Sequence, residues 1–313
     1  MQTILKRLMN LSKREGLLAA VVLALVLVLA FWDVVFVGHT LLTSNITQGT
    51  VPAGAYGYTG HRAQFYPVLD FAASAWQYEP YVKALREYLG AGWLPLWNPY
   101  IGCGTPFLAN MASAALSPVR LLLAAVQMPA VWDFYLLLRL FLAAFFTFLL
   151  ARALGIGLAG SLIAGITFSL CGHLVLYVNM TELDVQILLP ALLLAVDRLA
   201  LKLNYRMFLA TVFLVALVIL GGAPESALFV FFFVTLYFLA RSWTLTPRAQ
   251  ARWPRLAKQV TWLAAAGILG LLVSLPLVLP FLEYLQHAFH PRVGVGLVHS
   301  PLETAISLSL IHI

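Results

Sequence analysis

A series of long apolar stretches constrains this chain more than any other feature. They lie at residues 17–37, 131–151, 158–178, 185–201, 207–222, 226–240 and 260–282. A bilayer core is about 30 Å thick, so a helix needs roughly 20 residues to cross it, with about 17–25 tolerated. With 62% apolar and only 10% charged residues, the chain has too little polar surface to cover a soluble domain. We predict an all-α polytopic membrane protein with seven spans, the fifth and sixth being the shortest.

The distribution of charge predicts the orientation. If the N-terminus is cytoplasmic, the inner segments hold thirteen basic and two acidic residues, and the outer segments hold five basic and eight acidic residues. An excess of Lys and Arg marks cytoplasmic loops. The net charge of +7 therefore indicates membrane orientation and contact with membrane lipids, with no role in binding nucleic acid. We expect a multi-pass protein of the bacterial cytoplasmic (inner) membrane, with residues 38–129 on the extracytoplasmic side.

The large outer loop, 38–129, is rich in Trp, Tyr and Pro, which indicates that it is folded. Residues 80–90 read as a short helix, with proline in the first turn and glycine at the end. Tyr81, Leu85 and Leu89 share one face, a pattern typical of a helix lying in the membrane plane at the headgroups. A second helix is expected from Pro118 to 126, after Ser117.

The densest motif is Gly92–Pro106, in which three prolines and three glycines favour a backbone of tight turns. Such turns would hold Trp97 and Asn98 in fixed positions. They are interpreted either as scaffold or as a surface that contacts substrate. The segment Gly221–Glu225 likewise has two interpretations, a tight outer turn or a re-entrant kink.

The order of these motifs resembles a known family. An acid (Asp70) is followed by Gln77-Tyr78-x-Pro80, a short helix and the Gly92–Pro106 motif. The pattern resembles the N-terminal portion of the YfhO-type bacterial membrane proteins, which belong to the GT-C superfamily of membrane glycosyltransferases. Weaker matches cover nearly the whole chain, at Leu154-Gly155, Gly165–Ser169, Gly222–Glu225 and Pro280–Glu283.

The resemblance implies a GT-C-like fold and a glycosyltransferase activity. The donor would be a polyprenyl-phosphate-linked sugar, and the acceptor a glycopolymer or lipid of the cell envelope, outside the membrane. Asp70 matches the superfamily's active-site acid in the first outer loop. Some members use a metal ion there, so no cofactor is assigned and a divalent metal ion stays an alternative.

The residues themselves suggest a matching chemistry. A carboxylate within hydrogen-bond reach can act as general base for the acceptor hydroxyl, which makes Asp70 the candidate catalytic residue, with a solvated loop acid as the alternative. The departing phosphate needs cationic donors, for which the candidates are Arg62, Arg86 and Arg120. Surface or topogenic roles compete with substrate binding at the remaining candidates, which are Gln77, Tyr78, Glu79, Trp97, Asn98, Glu182, Asp184, Glu225 and Glu283.

A further expectation concerns Arg139. Arg139 lies within the second predicted span, and we expect it to pair with Asp133 or with another acid of the bundle.

The rival to the enzyme is a transporter or a flippase for lipid-linked sugars. Transporters commonly bind substrate at the midplane between repeated halves, whereas here the unusual residues lie in the outer loop.

The last expectation concerns the extent of the chain. The segment Leu308–Ile313 matches the translation of a sequencing-library adapter, and such scars are excluded from fold reasoning. We expect a single truncated GT-C-like domain over 1–307, a non-native tail over 308–313, and no activity from the fragment alone. A natural short protein is the alternative.

Overall fold

The computed structural model describes residues 13–42, 77–126, 128–245 and 252–287. These segments are mostly helical. The first helix, α1 (Lys13–Ala30), is continued by a π-helical turn, Asp33–Val37, which ends at Gly38 with a left-handed φ of 79°. Together they cover the first predicted span.

The described part of the outer loop is folded, as its composition predicts. It contains α2 (Glu79–Gly90), a two-stranded antiparallel sheet of β1 (Trp97–Asn98) and β2 (Thr105–Pro106), and α3 (Pro118–Ala125). The two helices predicted in this loop are therefore confirmed, each with proline in its first turn.

The environment of α2 differs from the expectation. Tyr81 and Leu85 are 8% and 1% exposed and belong to a hydrophobic cluster with Phe107 and Leu123 of the same loop. The apolar face assigned to the headgroups thus packs inside the protein, because α3 and the sheet region cover it. Only Leu89, at the end of that face, remains substantially exposed.

The next two helices, α4 (Pro129–Ala153) and α5 (Leu158–Ser169), pack on one another and on α1. They approach closely at Gly165, where an added Cβ would lie 2.7 Å from the carbonyl oxygen of Ala144. Only glycine permits this separation.

A region of broken helix follows α5. It contains two five-residue helices, α6 (Gly172–Leu176) and α7 (Glu182–Gln186), and leads into α8 (Leu189–Leu201). The fourth predicted span, 185–201, is therefore a continuous helix over only thirteen residues. Pro190 in its first turn lacks an N–H and favours this late start.

Three longer helices complete the described bundle: α9 (Tyr205–Leu220), α10 (Pro224–Leu245) and α11 (Arg252–His287). Gly221 caps α9, and Gly222, with a φ of 83°, turns the chain into α10. The segment Gly221–Glu225 is thus a tight turn. Helix α11 packs along α9, with Gly270 against Val215.

Four helical segments of the described residues are long and apolar enough to cross a membrane, namely Ala130–Ala153, Leu158–Leu176 (α5 continued by α6), Pro224–Leu245 and Trp253–His287. Tyr205–Leu220 is apolar but shorter. The chain is accordingly an all-α membrane protein. The count of seven spans and the orientation stay predictions.

Side-chain contacts show which helix ends lie together. Glu15 of α1 pairs with Arg152 of α4 at 3.2 Å, and Asp197 of α8 pairs with Arg241 of α10 at 2.7 Å. The start of α11 joins this second group, since Gln259 donates to the carbonyl of Ala200. These helix ends form the end of the bundle predicted to be cytoplasmic, and we call it the inner end. The opposite, outer end carries α2, α3, α6 and α7.

Candidate functional site

Asp184 lies at the centre of a charged network at the outer end of the bundle. Its carboxylate pairs with Arg139 of α4 at 2.8 Å and with Arg120 of α3 at 3.4 Å, and the phenol of Tyr135 donates to it. The two arginine side chains are each 3% exposed and that of Asp184 is 9% exposed. One carboxylate therefore joins α3, α4 and α7 in a nearly dry environment.

Arg139 also supports the broken helix region. Its guanidinium donates to the carbonyl of Met180 at 2.8 Å and to that of Val178. Both carbonyls lie between α6 and α7, where no continuous helix is available to bond them. Buried backbone carbonyls need hydrogen-bond donors, and Arg139 meets that need. The sequence predicted that Arg139 would pair with Asp133 or with another acid of the bundle. In the structure its partner is Asp184.

Asp133 has a different role. Its Oδ1 accepts hydrogen bonds from the Thr40 hydroxyl at 3.0 Å and from the Leu41 backbone N–H at 2.8 Å. It ties the first residues of the outer loop to the start of α4.

Glu182 connects the broken region to α2. The hydroxyl of Tyr78 donates to its two carboxylate oxygens at 3.4 and 3.3 Å. The guanidinium carbon of Arg120 lies 5.7 Å from the centre of the Tyr78 ring, within the range of cation–π attraction. Burial, together with the nearby Glu182 carboxylate, raises the pKa of Tyr78 to about 12. The phenol therefore stays protonated at neutral pH and remains a donor.

Glu182 also lines a pocket of about 280 Å³ beside this network. Glu225 and Ser226 at the start of α10 and Asn110 of the outer loop contribute the other polar side chains. The remaining lining comes from Met111, Ala112, Gly222, Ala223, Pro224 and Phe281. The pocket thus presents two carboxylates, an amide and a hydroxyl on a partly apolar wall.

Close packing and hydrogen bonds hold the pocket walls in place. A Cβ at Gly222 would lie 2.5 Å from the carbonyl oxygen of Met111, so glycine allows the α9–α10 turn to contact the outer loop. Gln186 donates to the Ser226 hydroxyl at 3.2 Å, and the Asn110 amide donates to the Tyr81 hydroxyl at 3.1 Å. Asn110 and Ser226 are therefore held in place on the pocket wall.

The structure brings together five of the residues predicted from sequence, which are Tyr78, Arg120, Glu182, Asp184 and Glu225. Arg120, a phosphate candidate, is engaged with Asp184. Asp70 and Arg62, the candidate base and another phosphate candidate, lie outside the described residues, as do 308–313.

Other predicted residues lie away from the pocket lining. Glu283 is exposed near the end of α11, and Arg86 is half-buried on α2. Glu79 is fully buried in the first turn of α2, and Gln77 precedes that turn. Asn98 is 3% exposed and its Oδ1 accepts the backbone N–H of Tyr100 at 3.0 Å, so its side chain holds the turn. Trp97 is half-exposed in the same sheet.

Sequence reasoning did not assign Asn110, Tyr135, Gln186 and Ser226 to the site. Their roles depend on contacts between elements far apart in sequence, such as the 49 residues between Tyr135 and Asp184. For Arg139 the sequence did contain an indication of a role in the site, because a charged residue within an apolar span is costly and commonly functional.

In the described part of the chain, no group of three or more His, Cys, Asp or Glu side chains could hold a metal ion. A metal ligand set that includes Asp70 falls outside those residues. No family model, curated protein or solved structure matches the chain.

Proposed function

We propose that the protein is a membrane glycosyltransferase of the YfhO type. It would move a sugar from a polyprenyl-phosphate donor to a cell-envelope acceptor on the extracytoplasmic face. The observation that carries the proposal is the pocket lined by Asn110, Glu182, Glu225 and Ser226. The pocket lining also includes Gly222–Glu225, one of the segments that carry the family resemblance.

The chemistry of the pocket suits a sugar. Carboxylates and amides accept and donate the hydrogen bonds by which hydroxyl groups are recognised, and Phe281 and Met111 add apolar surface. The volume of about 280 Å³ lies at the low end for small-molecule sites, which occupy about 300–1,000 Å³. A single sugar ring fits this range better than a long glycan.

The proposed reaction is a displacement at the anomeric carbon. The acceptor oxygen forms a bond to that carbon while its proton passes to a carboxylate, and the bond from the carbon to the phosphate oxygen breaks. The polyprenyl phosphate leaves with the electron pair. Asp70 is the proposed base, and Glu182 and Glu225 are the proposed contacts to the sugar hydroxyls. Arg120 and Arg139 place positive charge beside the pocket.

The test measures consumption of a polyprenyl-phosphate sugar by membranes that contain the complete protein. Asp70→Asn should lower transfer by about 10²–10⁴-fold, the usual contribution of a general base. Glu225→Gln should raise KM with a smaller effect on kcat, since it removes a binding contact. Glu283→Gln is the matched control, because this glutamate lies at the same end of the bundle but is exposed and outside the pocket lining.

Two results would contradict the proposal. Activity of Asp70→Asn and Glu225→Gln equal to that of Glu283→Gln would place the chemistry elsewhere. Transbilayer movement of the lipid-linked sugar without its consumption would instead identify a flippase, the rival function.

A further inference from the structure

The segment between α2 and α3 displays large apolar side chains to the outside. Trp93 is 70% exposed, and Leu94 and Tyr100 are each 73% exposed. Leu96, Trp97 and Ile101 are exposed as well. We call residues 93–101 the aromatic segment. An exposed apolar patch of this kind marks an interaction surface.

The sequence around the aromatic segment lacks charge altogether. Residues 88–119 contain no Asp, Glu, Lys, Arg or His, whereas about a quarter of the residues in a typical soluble domain are charged. A loop surrounded by water on all sides has no physical reason to avoid charge over this length. The composition therefore indicates a partly apolar environment.

The aromatic segment is held firmly to the protein. The hydroxyl of Tyr88 donates to the Trp97 carbonyl, and the Phe107 N–H donates to the Leu96 carbonyl at 2.9 Å. The indole of Trp97 lies over Gly104, where a Cβ would be 2.5 Å from the ring. Because the backbone is fixed in this way, the exposed side chains form a defined surface.

The same kind of surface continues into a candidate membrane span. Helix α2 packs on α3, which presents Leu122 at 70% exposure, and the chain then enters α4 with Met128 at 55% and Phe134 at 66%. Helix α4 contains the span Ala130–Ala153. The aromatic segment is thus attached to the helix that precedes this span.

The residue types favour lipid as the partner. Trp and Tyr are enriched at membrane–water interfaces, since each combines an apolar ring with a polar group. Tyr100 shows this combination, because its exposed ring carries a hydroxyl that donates to Glu87 at 2.9 Å. Glu87, exposed on α2, provides a charged group beside the apolar surface.

We propose that the aromatic segment inserts into the interfacial layer of the lipid leaflet at the outer end of the bundle. The membrane contact that the sequence assigned to the apolar face of α2 is then made by the adjoining segment instead. This anchor would fix the height of the outer loop relative to the headgroups. The proposal holds whichever function the pocket has.

The test uses the two cysteines of the chain. Cys103 is exposed in the turn between β1 and β2, and Cys171 is half-buried. In a Cys171→Ala background, Cys103 carries an environment-sensitive fluorophore, and the protein is placed in vesicles of phosphatidylethanolamine and phosphatidylglycerol. Two quenchers are compared, a lipid with a spin label at the headgroup and aqueous iodide.

The proposal expects strong quenching by the lipid and weak quenching by iodide. A Lys83→Cys variant without the native cysteines is the matched control, and its label on the exposed, charged side of α2 should show the reverse. Replacing Trp93 and Leu94 together by Ser should lower lipid quenching at Cys103 by about twofold or more, because membrane binding scales with buried apolar area.

Iodide quenching at Cys103 equal to that at position 83 would overturn the proposal. Protection from both quenchers would also overturn it, because protein would then cover the aromatic segment. If Cys171→Ala fails to insert, the difference between the native protein and Cys103→Ala, both labelled, gives the same comparison.

Discussion

The outer and inner ends of the bundle both contain a buried carboxylate paired with arginine, but the two arrangements differ. At the outer end, Asp184 has two arginine partners that are each 3% exposed. At the inner end, Asp197 is fully buried, and its partner Arg241 is 28% exposed. Tyr237 donates to the same Asp197 oxygen at 2.8 Å.

The difference follows from the state of the helices. At the outer end the helices are interrupted, so backbone carbonyls need donors, and Arg139 supplies them. At the inner end α8 and α10 are continuous through the contact, and the ion pair only joins two helices. Broken helices require buried polar or charged groups to bond the carbonyls at the gap. This explains why the denser charged network lies at the outer end, where it adjoins the polar pocket.

The largest expected effect is that of Asp184→Asn. The change leaves Arg120 and Arg139 buried without their carboxylate, and breaking a buried pair in this way costs about 3–5 kcal/mol. Thermal unfolding of the purified protein in detergent measures the loss. Glu283→Gln, an exposed site at the same end, should stay within about 0.5 kcal/mol of the parent. A loss at Asp184 below that of Asp197→Asn would break the comparison between the two ends.

Asp197→Asn should be less destabilising. Arg241 is exposed enough to turn towards water when its partner is lost, so the cost is mainly that of the altered buried hydrogen bonds, about 1–3 kcal/mol. The same unfolding assay applies, with Tyr237→Phe as a milder variant that removes one donor to Asp197. A loss equal to that of Asp184→Asn would show that exposure of the arginine does not matter.

Alkaline pH should weaken the contact between Tyr78 and Glu182 at the outer end. The pKa of Tyr78 is raised from 10.0 to about 12 in the folded protein, so the unfolded chain loses this proton first. Its contribution to stability is complete below pH 10 and is lost as pH rises through about 12. Unfolding measured across this range should show a steeper decline for the parent than for Tyr78→Phe. Parallel curves would contradict the raised pKa.

The smallest effect is expected at the pair of Glu15 and Arg152 at the inner end. The side chains are 37% and 23% exposed, and exposed ion pairs contribute about 0–1 kcal/mol and are screened by salt. Glu15→Gln should therefore change stability little, and high salt should remove the change. A loss comparable with that of Asp197→Asn would show that the inner end depends on this pair.

Local features of the outer loop could be predicted from sequence because they depend on neighbouring residues. Pro80 and Gly90 mark the limits of α2, and Ser117 and Pro118 mark the start of α3. The lipid contact assigned to Tyr81 and Leu85 was wrong, since amphipathic periodicity identifies an apolar face without showing whether lipid or protein covers it. In this molecule Phe107 and Leu123 cover it.

The sequence by itself determined that the chain is an all-α membrane protein, because long apolar runs with few charges cannot form a stable soluble fold in water. It also identified Glu182, Asp184 and Glu225 as candidates, since they lie on the predicted outer side of the spans, where a carboxylate can bind sugar hydroxyls. Only the tertiary structure decided which charges pair. Asp184 joins Arg120 and Arg139, which are 64 and 45 residues away, and Glu182 meets Glu225 in one pocket. Such contacts arise from how broken and continuous helices pack, and the spacing of residues along the chain contains no record of that packing.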